Sequence, residues 1–227
     1  MIDVARFEFN LFGENTYVVS DASGECIVVD AGNSRPEEDD ALLNYLERKS
    51  LKPIMAVCTH AHPDHTAGLA RLLERYPMPL ALHSDDLALL EALPAVGRKY
   101  GFSIPPLAIG QDLRARPEIL FGRCRLTAIH TPGHSRGSVC LFDAEDGILF
   151  SGDTIFRGSI GRTDLAGGDY DQLIDSIINN ILPLGDAVKV LPGHGDETSI
   201  GNEALYNPFI TEVIGGGFNH NTLKDEN

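Results

Sequence analysis

Ile54-Met55-Ala56-Val57-Cys58-Thr59-His60-Ala61-His62-Pro63-Asp64-His65 runs from an apolar stretch directly into three histidines and a carboxylate. A buried strand that ends at a metal site is the simplest expectation for such a run. From Thr66 onward, Leu69, Leu72, Leu73 and Tyr76 recur at helical spacing, so the cluster occupies a strand-to-helix loop. His60 and His62 are two apart; in an extended segment both side chains emerge on one side and can clasp one ion. Pro63 and the turn into the helix let Asp64 and His65 swing toward a neighbouring position. The stretch therefore predicts two adjoining metal positions within an α/β protein.

Outward from this loop, other strands end in the same residue types. Cys26 to Asp30 is an apolar strand closing on an acid, which reads equally as a support for a ligand histidine and as a loop cap. Arg123 to His130, Val139 to Phe142, Ile148 to Ser151 and Ala187 to Leu191 are further strands. They lead into His130-Thr131-Pro132-Gly133-His134, Gly152-Asp153-Thr154 and Pro192-Gly193-His194-Gly195. Phe7 to Val19 reads as two strands around a turn at Gly13-Glu14-Asn15. Helical spacing predicts helices over Pro36–Lys49, Asp85–Tyr100, Asp169–Leu182 and Ile200–Ile214, the last ended or kinked by Pro208. Gly101 to Gly110 is a Pro-rich loop expected to border a site, and His83 a hydrogen-bonded structural histidine. Strand and helix alternate without a linker, so 1–214 is expected to be one α/β domain with two sheets between outer helices and 215–227 a mobile C-terminal tail.

Two ions about 3.5 to 4 Å apart need roughly three protein ligands each and one shared between them. The inventory matches: His60, His62 and His134 for one, Asp64, His65 and His194 for the other, and Asp153 bridging. Ions so held lower the pKa of bound water by many units, so a bridging hydroxide becomes the nucleophile and Asp64 can orient it. The cofactors expected are two divalent metal ions, zinc first, with iron or manganese suited to the same ligands. Neither a GxSxG nucleophile elbow nor a GxxxxGK phosphate loop occurs.

Composition narrows the function classes. The 227 residues are 43% hydrophobic and 22% charged, enough for a sizeable core. Lys and Arg total 18 against 33 Asp and Glu, a net charge of −15, which disfavours nucleic acid and anionic membranes as partners. Cys26, Cys58, Cys124 and Cys140 stand apart in apolar settings and form no CxxC pair, the pattern of buried thiols in a reducing compartment. Met1 to Asn10 has no apolar core of a signal peptide, and no apolar stretch approaches the roughly 20 residues of a membrane span. The reading is cytoplasmic.

Thr59 through His65, His130 through His134, Ser151-Gly152-Asp153-Thr154-Ile155-Phe156 and Leu191 through His194 together resemble the metallo-β-lactamase superfamily, over nearly the whole chain. The resemblance implies a four-layer αββα sandwich with a dinuclear site at one edge of the sheets. Gly158-Ser159-Ile160-Gly161-Arg162-Thr163-Asp164 and Asn207-Pro208-Phe209 are similar to short bacterial glyoxalase II-like proteins, the hydroxyacylglutathione hydrolases. That likeness implies hydrolysis of a small-molecule acyl thioester such as S-lactoylglutathione, with Asp64 and Asp153 catalytic and Arg162 contacting an anionic substrate end. Only 33 residues follow His194, and Asp164 stands where that family carries an aromatic thiol-binding residue. The same motifs also resemble mononuclear iron persulfide dioxygenases, in which His60, His134 and Asp153 would hold the iron.

Overall fold

Alternate residues of the central strands enter different cores, and this alternation builds the layers. The computed structural model describes residues 1–216. It starts with a hairpin, β1 (Asp3–Phe9) and β2 (Glu14–Ser20), followed by β3 (Glu25–Val29), α1 (Pro36–Arg48) and β4 (Lys52–Val57). Then come α2 (Leu69–Arg75), β5 (Leu80–Leu82), α3 (Leu87–Lys99) and β6 (Gln111–Asp112). The second half holds β7 (Glu118–Phe121), β8 (Cys124–His130), β9 (Val139–Asp143), β10 (Ile148–Gly152), and the small hairpin β11 (Ile155–Phe156) with β12 (Ser159–Ile160). α4 (Tyr170–Ser176), β13 (Lys189–Pro192), β14 (Thr198–Ser199), α5 (Ile200–Tyr206) and α6 (Pro208–Gly216) complete it.

The strands form two six-stranded sheets, ordered β1-β2-β3-β4-β5-β6 and β14-β13-β10-β9-β8-β7. Tyr17 and Val19 of β2, Ile27 and Val29 of β3, and Val57 of β4 face Val139, Leu141, Phe150 and Leu191 of the other sheet. Their neighbours Val18, Cys26, Val28, Ala56 and Cys58 point the opposite way, onto Leu42 and Leu46 of α1, Leu69 and Leu72 of α2, and Leu90 and Leu93 of α3. On the far side, Cys140, Leu149 and Val190 meet Leu173 and Ile174 of α4, Ile200 of α5 and Ile210 of α6. Strands buried on both faces read as continuous apolar runs, which is why β3 and β4 stand out in the sequence. Three cores between four layers make the αββα sandwich.

Several boundaries differ from the sequence reading. The first hairpin turns at Asn10–Gly13, where Asn10 and Gly13 take φ of 51° and 63°, a conformation these two residue types tolerate best. Glu14 and Asn15, expected in the turn, already belong to β2. The helix expected over 169–182 is α4 continued by a π-helical segment, Ile177–Ile181. Pro208 does break the last helix, capping α6 at its first position. The Gly101–Gly110 loop packs Phe102 and Ile104 into the outer core, so its role is in packing. Gly215 and Gly216, expected to open the tail, end α6, and 217–227 lie outside the described residues. All four cysteines are buried and unpaired.

Candidate metal centre

Residues that follow five strand ends meet at one edge of the sandwich. Asp30 follows β3, His60 to His65 follow β4, His134 follows β8, Asp153 follows β10 and His194 follows β13. Parallel pairing of β3 with β4 and of β10 with β13 brings those ends to the same side, where open α/β sheets receive ligands. A bond from Val139 N–H to the Thr59 carbonyl (2.9 Å) ties the two sheets together beside the cluster.

Two trios of side chains converge there. His134 Nε2 lies 3.2 Å from His60 Nε2 and 2.8 Å from His62 Nδ1. Alongside, His194 Nε2 lies 3.2 Å from His65 Nε2 and 3.3 Å from Asp64 Oδ2. Asp153 stands between them: its Oδ1 is 3.3 Å from His65 Nε2, and its Oδ2 is 3.5 Å from His134 Nε2 and 3.6 Å from His194 Nε2. Within each trio the candidate ligand atoms all lie within 4.8 Å of one another, close enough to hold an ion.

The outer nitrogens fix the tautomers. Thr59 Oγ1 donates to Asp30 Oδ2 (2.7 Å), so in its 3.0 Å contact with His60 Nδ1 the imidazole is the donor. His65 Nδ1 donates to Asp30 Oδ2 (3.0 Å), His134 Nδ1 to the Arg162 carbonyl (2.7 Å) and His194 Nδ1 to the Phe12 carbonyl (3.1 Å). With the outer nitrogens donating, the inner Nε2 atoms of these four rings are left to face one another and Asp153. Asp153 Oδ1 is buried with no hydrogen-bond partner among the described residues. Facing acceptors of this kind repel unless a cation lies among them, and a histidine held by an outer acceptor is how proteins present imidazole to metal. The residues fit divalent ions.

Burial first, and then repulsion from His65 and His62, holds His60 well below the ordinary imidazole range. Burial and His134 push His62 down to about 3. Burial acts the same way on His65, but Asp153, Asp64 and Asp30 outweigh it and raise His65 well above that range. His194 is raised as well: burial is outweighed by its bond to Asp64 and the charge of Asp153. His60 and His62 are therefore neutral at ordinary pH, whereas in the second trio a proton competes with any cation.

Supports that the sequence reading missed surround the cluster. Asp86, fully buried, accepts from Ala61 N–H (3.0 Å), Ser135 Oγ (2.8 Å) and Gly137 N–H (2.7 Å), locking the His60 loop to the His134 loop. Asn15 donates through Nδ2 to the carbonyls of Pro192 and Gly195, both at 2.9 Å, on either side of His194. Glu14 lies buried 4.0 Å from His65 Nδ1, and burial raises its carboxyl well above the usual range. Nothing local in the sequence marks Asn15 or Asp86, because their partners lie 177 and 51 residues away. Gly193 did carry a signal: a Cβ there would fall 2.4 Å from Asp153 Oδ1 and 2.7 Å from His65 Cε1.

The cluster floors a cavity of about 510 Å³ whose walls include Phe12, Leu89, Val96, Tyr100, Phe156, Ile160, Leu165 and Arg162. The Arg162 guanidinium is exposed and bound at both Nε and Nη2 by Asp164, each at 2.7 Å. His83 lies apart from this cavity; its Nδ1 accepts from Asp85 N–H (3.2 Å), and its ring stacks on His130 with 8° between planes. Among the described residues no helix is long and apolar enough to cross a membrane.

Comparison with known proteins agrees with this geometry. The family model for the metallo-beta-lactamase superfamily matches residues 10–194. Hydroxyacylglutathione hydrolase GloC of Haemophilus influenzae is 31% identical over 202 residues, covering 88% of this chain and 93% of GloC. Among solved structures, TTHA1623 in a di-iron-bound form superposes with a TM-score of 0.80 at 36% identity, covering 91% of this chain and all of that one. BLEG-1, a B3 metallo-beta-lactamase, superposes with a TM-score of 0.82 at 34% identity, covering 93% of this chain and all of its own. The sandwich, the converging strand ends and a family match that spans both trios lead to one conclusion: the chain belongs to the metallo-beta-lactamase superfamily.

Proposed function

We propose that this hydrolase cleaves acyl thioesters at a dinuclear centre. The observation that carries the reading is Asp153, a carboxylate placed between two complete trios, His60/His62/His134 and Asp64/His65/His194. A mononuclear site would leave Asp64, His65 and His194 converging without purpose. Two divalent ions there, zinc or alternatively iron or manganese, would supply a hydroxide nucleophile at neutral pH and offset charge developing on the carbonyl oxygen. The similarity to GloC supports a thioester substrate, and TTHA1623 shows that a relative takes two irons.

The chain's own residues supply the rest. Asp64, lowered because His65 and the His194 bond outweigh its burial, stays a carboxylate that can accept a hydrogen bond from the nucleophile and orient it. Asp30 and the Arg162 and Phe12 carbonyls keep the imidazoles aimed inward, so little reorganisation accompanies the reaction. The apolar walls limit water around the scissile carbonyl. Arg162 stands at the cavity wall with three of its five N–H groups left by Asp164 for an anionic substrate end.

The test is metal analysis of protein prepared without added metal, together with thioester and persulfide assays. Two equivalents of metal with thioester turnover is the expected result. A single iron with oxygen consumption on persulfide would replace this reading by a dioxygenase.

A further inference from the structure

Resting on the thioester reading, we propose that the acyl group of the substrate is apolar, a medium-length alkyl or an aryl chain, and that the carrier thiol contributes little to selection. The basis is a row of apolar side chains that line the cavity and are only partly taken up by the outer core, against which Leu89 packs. α3 turns Leu90, Leu93 and Gly97 into the outer core, while Leu89, Val96 and Tyr100, at spacings of seven and four, form a neighbouring stripe that lines the cavity above the metal-site residues. Tyr100 stays 46% exposed and Phe12 42% exposed, their rings in edge contact with centroids 5.5 Å apart. The Phe12 carbonyl also holds His194 Nδ1, so this apolar wall is joined through one residue to the reacting edge. Ile160 and Leu165 add apolar surface to the same cavity.

Charge selection by contrast is weak. Arg162 is the cation among the residues lining the cavity, and Asp164 neutralises it through two 2.7 Å bonds. An anionic carrier end arriving there must share the guanidinium with Asp164 in a solvent-exposed setting, where ion pairs contribute little. Burying a methylene, in contrast, is worth about fourfold in a binding or specificity constant. Biological carrier thiols are polar, so the apolar part of a thioester that fits this wall is its acyl chain.

The experiment measures kcat/KM for acetyl, butyryl, hexanoyl, phenylacetyl and lactoyl thioesters of one neutral carrier, N-acetylcysteamine, and for S-lactoylglutathione. Rates should rise about fourfold per methylene from acetyl to hexanoyl, and S-lactoylglutathione should fall below the hexanoyl compound. In Val96→Asn the hexanoyl-to-acetyl ratio should drop at least about tenfold; a ratio within one variant is insensitive to partial misfolding. Ketone analogues, with CH2 replacing the thioester sulfur, should show the same ladder in Kd by calorimetry. A flat acyl series, or S-lactoylglutathione as the fastest substrate, overturns this inference and leaves the thioesterase reading standing. Absence of turnover on every thioester overturns both.

Discussion

His194 and Asp30 affect the same trio by different routes, and their variants separate a ligand from its support. Replacing His194 by Ala removes one corner of the Asp64/His65/His194 trio. Metal content should fall from two equivalents to about one, with thioester kcat/KM down about 100-fold or more, beyond the effect usual for an outer partner; two retained ions with full hydrolysis would refute the ligand assignment. Asp30→Asn keeps every ligand but weakens the acceptor on His65 Nδ1. It should cost about 10- to 100-fold in metal affinity, read by competition with a chromophoric chelator. Acidification offers a third test. Because His65 and His194 are raised while His60 and His62 are lowered, a proton must leave the second trio before an ion enters, whereas His60 and His62 have none to give up. As pH falls, protons should therefore displace metal from the Asp64/His65/His194 trio first. Metal content after dialysis at stepped pH should pass through a plateau near one equivalent; simultaneous loss of both ions would contradict this order.

At the scale of elements, the β1–β2 hairpin is the platform for the last ligand loop. Asn15 pairs twice with the backbone around His194, and its own N–H donates to the Gly193 carbonyl (2.7 Å). Asn15→Ala strands the buried Pro192 carbonyl and releases the more exposed Gly195 carbonyl, so urea unfolding should report a loss of about 1 to 3 kcal/mol, accompanied by weaker retention of the second ion. An unchanged midpoint would mean water replaces the amide. The Gly193 backbone passes so near Asp153 and His65 that a methyl group has no room. The sequence showed that glycine beside a histidine, and it showed β3, β4 and β13 as apolar runs, because strands buried on both faces leave continuous hydrophobic stretches. It misplaced the first turn by a few residues, because Gly13-Glu14-Asn15 looks like turn chemistry and yet pairing of Phe9 with Glu14 decides where the strands end. It missed β7, four residues long, and β6, β11, β12 and β14, each two residues long, too short for periodicity to register clearly.

For the molecule as a whole, the four layers bury reactive groups as well as apolar ones. Cys26 and Cys58 lie in one outer core and Cys140 in the other, and burial pushes their thiols up, to about 12 for Cys26 and about 11 for Cys140. A disulfide reagent at pH 8 should leave these three untouched in the native protein and react with all of them after denaturation; fast native labelling of any would show that its core opens locally. The ligand types of the site were legible in the chain itself: histidine and aspartate carry potential ligand atoms wherever they are placed, and two-residue spacing after an apolar run is a local pattern. The alternation of strand and helix determined the fold class in the same way. The expectation that Asp153 is shared between the two trios also came from the residue inventory, whereas tertiary structure alone decided the distances among them, that Asp86 and Asn15 hold the loops, and that an apolar wall from α3 stands beside Arg162. Those outcomes depend on how two sheets pack through Tyr17, Val19, Ile27, Phe150 and Leu191, a sum of contacts between residues distant in sequence that no local pattern encodes.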